Sequence, residues 1–304
     1  MSGKRLGAPI AAAFLLAAAV VVGWVVVEAT QEVSLFTWVG TLPVPVIFAV
    51  VVVFWVLFAL ISWAIAERAI EPDDRERTQE NVSRILIVIS TFFVFVLGFV
   101  ISQEWSNANA ARNEVSRGAA ALYTAGYNNY PLAQPYRGEI QASLDKLGQS
   151  IVCQELPSLK ETGEGATQTG FALADTFKVA TSQPRSVQEM VTFPNVVSEL
   201  GVISEARREW LAEAASGLPD VVLICIFILG AALLATFAVQ STVSRRGHLA
   251  TVVVLSLLVA LGTGLAVSLA RPFAGAAQVS ADTFSQGGAT SAAIQDCSRL
   301  ESKP

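Results

Sequence analysis

"ILIVISTFFVFVLGFVISQEWSNANAARNEVSR", Ile85 to Arg117, decides how this chain is organised. Its first 18 residues contain no Asp, Glu, Lys, Arg or His. A helix of that length rises about 27 Å at 1.5 Å per residue, enough for the apolar core of a bilayer. The remainder is polar, yet neither Gly nor Pro interrupts it between Ser102 and Arg117. Nothing therefore stops the helix at the membrane edge. The pattern predicts one rod from about Ile85 to Tyr123, with Trp105 in the interfacial aromatic belt. Ala108, Ala111, Val115 and Leu122 give its polar half a mostly small face that permits close helix approach.

Four further runs share this lack of charge: Ile10–Val27, Pro45–Ala66, Val221–Val239 and Leu249–Ala270. The chain is 53% hydrophobic and 15% charged, against about 25% charged in soluble domains. Lipid cannot satisfy an exposed backbone, so the runs are expected to be helices and the protein an all-α integral membrane protein with five transmembrane spans. "MSGKR" could introduce a signal peptide. The 18-residue run behind it, which contains Trp24, exceeds an ordinary signal core and favours an uncleaved span.

Basic residues set the orientation. Lys4 and Arg5 precede the first run; Arg68, Arg75, Arg77 and Arg84 lie between the second and third; Arg245 and Arg246 lie between the last two. The segment Glu28–Val44 has none. All three basic segments share one side only if the N-terminus is cytoplasmic. The expected location is a bacterial plasma membrane, with residues 103–220 and the C-terminus extracytoplasmic. Residues 1–102 then hold three spans (10–27, 45–66, 85–102), 221–270 a hairpin (221–239, 249–270), and 271–304 a tail.

The outer segment has helical rather than strand periodicity. Leu132, Tyr136, Ile140, Leu144, Leu147 and Ile151 share one helical face, as do Val196, Leu200, Ile203 and Trp210. Ser186 and Glu189 fit a capping box, "FALADTFKVA" is a weaker helix ended by Pro184, and Pro219-Asp220 opens the fourth span. With the rod, this makes a four-helix bundle-like domain inserted between spans three and four.

An enzyme is hard to build from this inventory. The single histidine, His248, has neither Cys nor His near it in sequence, and no phosphate loop, paired-Cys motif or nucleophile elbow occurs. No catalytic residue, cofactor or metal is expected, and no nucleic-acid partner. Pumps keep ionisable groups within their spans, and these spans have only hydroxyls and one amide, among them Ser90, Thr91, Ser256 and Thr263. Ala260, Gly264 and Ser268 form a small-residue helix-packing face, serving either oligomerisation or packing within one protomer. Of three cysteines, Cys225 lies inside a span. Cys153 and Cys297 both fall in segments expected outside, where disulfides persist. At 100° per residue Cys153 points about 200° away from Ile151, off the buried stripe. A Cys153–Cys297 bond is expected to tether the tail to the bundle.

"RPFAGAAQVSADTF" (271–284), "EWSNANAARNEVSRGAAALYTAGY" (104–127) and "SEARREWLAEAASGLPD" (204–220) together resemble the bacterial bestrophin-like proteins of unknown function. The resemblance spans roughly Ser102 to Phe284. It rests on Arg271, Pro272, Phe273 and Gly275, on Asn113 and Glu114, and on Arg207, Arg208, Leu218 and Pro219. It implies an extramembrane helical segment followed by two closing spans. Bestrophins proper follow Pro-Phe-Gly with acidic residues and keep their soluble bulk cytoplasmic. Here Ala274, Gly275, Ala276 and Ala277 follow instead. The first expectation is thus a non-enzymatic membrane protein whose outer domain binds a protein partner, as an accessory or assembly subunit. The alternative is an oligomeric bestrophin-like ion channel. Lipid contact and self-association fit both.

Overall fold

The computed structural model describes residues 42–69, 72–182, 189–215, 218–240, 244–271, 273–274, 284 and 297. They form eight α-helices and no strand: α1 (Val44–Ala69), α2 (Pro72–Asn129), α3 (Tyr136–Ser150), α4 (Leu156–Glu161), α5 (Thr167–Ser182), α6 (Glu189–Ala215), α7 (Asp220–Val239) and α8 (Arg245–Leu269). Within these, Val44–Arg68, Gln79–Asn129, Val221–Val239 and Arg245–Leu269 are long and apolar enough to cross a membrane. The expected first span, 10–27, lies outside the described residues.

The rod is longer than its sequence suggests: α2 runs 58 residues without a break and ends at Asn129 rather than near Tyr123. At its other end the charged segment expected as a loop is mostly helical. Arg and Glu are good helix formers, and Pro72 suits a first helical position. Proline does not end α6 either, since Pro194 lies inside it.

The chain divides into two compact units. The first takes its described residues from 1–104 and 218–270. Its core is apolar and aromatic: fully buried Trp55 stacks on Phe227 (5.4 Å, 23°) and meets Phe54 and Phe58 edge-on. Gly230 permits this packing, because a Cβ there would come within 2.8 Å of the Trp55 ring. The span hydroxyls bond their own helices: Ser90 and Thr91 donate to the Ile87 carbonyl, Ser256 to Val253 and Ser268 to Leu265. Such bonds satisfy the polar atom without a partner helix.

The second unit takes residues from 105–217 and 271–304. The buried faces of α2, α3, α5 and α6 share one core that includes Ala111, Val115, Leu144, Ile151, Leu200 and Trp210. A π-helical turn, Ile151–Glu155, joins α3 to α4. Gly163, at φ 76°, then closes α4 in the left-handed conformation that glycine adopts without strain.

Candidate functional site

No cluster of three or more metal-ligating side chains occurs among the described residues. The chemistry lies instead in two arrangements, one in each unit.

In the membrane unit the unusual element is α2. Only 11% of its most apolar stretch is buried within the chain, against 28% for α1, 44% for α7 and 56% for α8. Val100 and Phe93 turn inward, while Val88, Phe95 and Phe99 are 69%, 70% and 64% exposed. Val88, Thr91, Phe95, Gly98 and Ser102 follow each other at steps of three and four, so they form one exposed stripe. An added Cβ at Gly98 would meet nothing within 4 Å. The small-residue face of α8 behaves differently. Ala260, Gly264 and Ser268 are all buried, and Gly264 admits the Phe48 ring, 3.0 Å from where a Cβ would stand. Thr263, beside Gly264, accepts a 2.8 Å hydrogen bond from the Trp55 indole and donates to the Val259 carbonyl.

In the second unit, outer only in that it holds none of the apolar runs, the π-turn gathers the polar groups. Glu155 has no solvent exposure. One carboxylate oxygen accepts from Arg207 Nε at 2.8 Å; the other accepts from Arg207 Nη2 at 3.1 Å and from the Ala166 amide at 2.8 Å. Arg207 Nη2 also donates to the Ala166 carbonyl at 3.2 Å. The pair therefore clamps α6 to the turn before α5 through a bidentate contact. Cys153, in the same turn, is joined to Cys297 by a disulfide with Cα atoms 5.5 Å apart. The turn's π geometry alters the 100° count behind the expected position of Cys153. The structure shows Ile151 fully buried and Cys153 partly exposed. Cys225 is exposed on α7.

Of the family-motif residues, Arg271 is half-buried and Phe273 is a buried member of the outer core. Pro272 and Gly275 lie outside the described residues. His248 is buried and stacked on Phe237, with ring centroids 5.6 Å apart. Sequence reasoning missed Glu155, although a signal existed: it stands four residues beyond Ile151, on the stripe that contains Ile140, Leu144 and Leu147. It also missed the uncovered face of α2, since two hydroxyls and a glycine among large apolar residues do not by themselves say which side stays bare.

The family model of the Bestrophin-like domain matches residues 52–284. Among solved structures, a crystal structure of a mutated bacterial bestrophin homologue from Klebsiella pneumoniae is similar in fold. It has a TM-score of 0.58 at 13% identity, over 83% of this chain and 98% of that one. No curated protein matches.

Proposed function

Because the chain belongs to the bestrophin-like family, we propose that it is an oligomeric ion channel whose pore is lined by α2. The bare face of α2 carries this reading. A face of lipid-only contact would favour large aliphatic residues throughout. This one interleaves Thr91, Gly98 and Ser102 with Val88 and Phe95. Copies arranged about an axis would cover it and ring a narrow apolar constriction, which can gate by dewetting and leaves permeation to small ions. The lack of charge within the apolar runs 45–66, 85–102, 221–239 and 249–270 fits passive flow better than a proton- or ion-coupled pump. The family match favours this alternative over the accessory-subunit expectation.

In this reading the membrane is a bacterial plasma membrane, five spans are present, and the helical domain is extracytoplasmic. The basic residues between spans support that orientation, as does the disulfide, a bond that persists in oxidising compartments. Alkaline phosphatase fused after Pro304 is then active; a stable, inactive fusion overturns the orientation. The channel itself is tested by recording purified protein in planar bilayers. Unitary currents that Phe95→Ala enlarges are expected. Monodisperse protein that stays silent overturns the reading.

A further inference from the structure

Among the described residues four arginines are only partly exposed, and three of these have a partner. Arg207 grips Glu155, the Arg137 guanidinium lies 3.8 Å over the Tyr130 ring, and Arg112 reaches the Asn109 side-chain oxygen at 3.5 Å. Arg271 is the exception. Its Nη1 is buried without an acceptor. Its Nε and Nη2 are likewise unbonded but remain open to the surroundings.

Burial lowers the Arg271 pKa, and no neighbouring charge opposes that shift. No Asp or Glu occurs in the sequence from Leu249 to Ala281. A partly desolvated cation with no counter-charge is unfavourable. The carbonyl end of α8, just before it, carries only about half a negative charge. The side chain is also poorly placed to swing away. Phe273 is buried in the core of its unit, and the Ala274 amide donates to the Arg271 carbonyl at 3.3 Å.

The position identifies the missing anion. Arg271 follows Leu269, the last residue of α8, by two residues. At 1.5 Å per residue the 25 residues of α8 rise about 38 Å, beyond the roughly 30 Å hydrocarbon core and into the headgroup layer. There the abundant anion is phosphate. The Nε–Nη2 edge of a guanidinium is a planar fork that matches two oxygens of a phosphodiester. We infer that the open Nε–Nη2 edge of Arg271 is a phosphate-binding site, filled by the phosphodiester of an anionic membrane lipid. The inference does not depend on the channel reading.

The test titrates purified protein in detergent with phosphatidylglycerol and counts bound lipid by native mass spectrometry. Arg271→Gln should weaken binding roughly fivefold or more, the contribution of one cation facing lipid phosphate. Arg271→Lys keeps the charge but not the fork and should recover only part of the loss. Arg208→Gln, an exposed change on α6, should bind as the wild type does. Phosphatidylcholine, whose choline offsets its phosphate, should bind more weakly and alike to all four proteins. Inorganic phosphate at equal concentration should not displace phosphatidylglycerol; displacement would support the phosphate site with a soluble source. Should the glutamine variant fail to fold, the lysine variant decides. Arg271 variants that elute as the wild type and bind phosphatidylglycerol with its full affinity overturn the inference.

Discussion

Each unit buries a tryptophan completely, Trp55 in the membrane unit and Trp210 in the outer one, but their surroundings follow different chemistry. Around Trp55 are Phe54, Phe58 and Phe227, and a single neutral hydrogen bond to Thr263. The unit of Trp210 contains a carboxylate with no exposure, a bidentate arginine and a disulfide. Lipid tails are as apolar as leucine, so helices in a bilayer associate through close packing and not through the hydrophobic effect. The outer unit has water to exclude. Glu155 is fully buried against the partly buried Arg207, so the carboxylate depends on that arginine for the polar contacts it has lost to solvent. Damage should therefore be costly in the outer unit and mild in the membrane unit.

The largest expected effect tests that claim directly. Glu155→Ala leaves Arg207 facing an empty, desolvated position and should destabilise the outer unit by about 3–5 kcal/mol. Limited proteolysis in detergent reads this as rapid cleavage within 105–217 while the spans persist. Glu155→Leu with Arg207→Met should restore most of the loss, because removing both charges leaves neither unpaired. A single variant as resistant as the wild type would show that the clamp contributes little.

Next comes the disulfide. Cys153→Ser should cost about 2–4 kcal/mol, less than the entropy of so long a loop suggests, because membrane insertion already restricts the unfolded chain. Denaturant unfolding of the outer unit should shift by the same amount in reductant-treated wild type, and reductant should have no further effect on the variant. Alkylation of the unreduced protein should label one thiol, Cys225; three labelled thiols would remove the bond.

The contrast between units was only partly legible in the sequence. The apolar runs of α1, α2, α7 and α8 stand out because lipid imposes length and lack of charge together. The inward stripe of α3 is equally plain. The π-turn at Ile151–Glu155 leaves no compositional trace, since it changes hydrogen-bond register and not residue type. The partner of Glu155 is 52 residues away, a separation that periodicity does not span. Hydropathy likewise cannot distinguish the buried side of α2, where Phe93 and Val100 point, from the bare side with Phe95. Both carry large apolar residues; the placement of α1, α7 and α8 separates them.

In the membrane unit, Thr263→Val removes the acceptor of the Trp55 indole while keeping the side chain's shape. Interhelical hydrogen bonds in bilayers average about 0.6 kcal/mol and reach about 1.7 kcal/mol, because the separated helices also find partners. The variant should fall in that range by reversible unfolding in mixed micelles. A loss comparable to that of Glu155→Ala would erase the proposed difference between the units.

The smallest effect has a distinctive pH dependence. Asp145, on α3, is half-buried and accepts a 3.0 Å hydrogen bond from Gln141. Desolvation raises its pKa above the ordinary value of 3.8, and the Gln141 bond only partly opposes this. A carboxyl whose folded pKa is raised favours the folded state most when protonated, below its unfolded pKa. That contribution is lost as pH rises through the folded pKa. At pH 7 the wild type therefore carries a partly desolvated charge that Asp145→Asn would remove, with an amide oxygen still able to accept from Gln141. The asparagine variant should be slightly more stable at pH 7, by a few tenths of a kcal/mol after allowance for solvent screening. Its advantage should shrink steadily and vanish as pH falls below about 4. Melting temperatures of both proteins from pH 7 to pH 3.5 provide the check. An advantage that stays constant or grows towards acid pH would mean that packing, and not the buried charge, separates the two side chains.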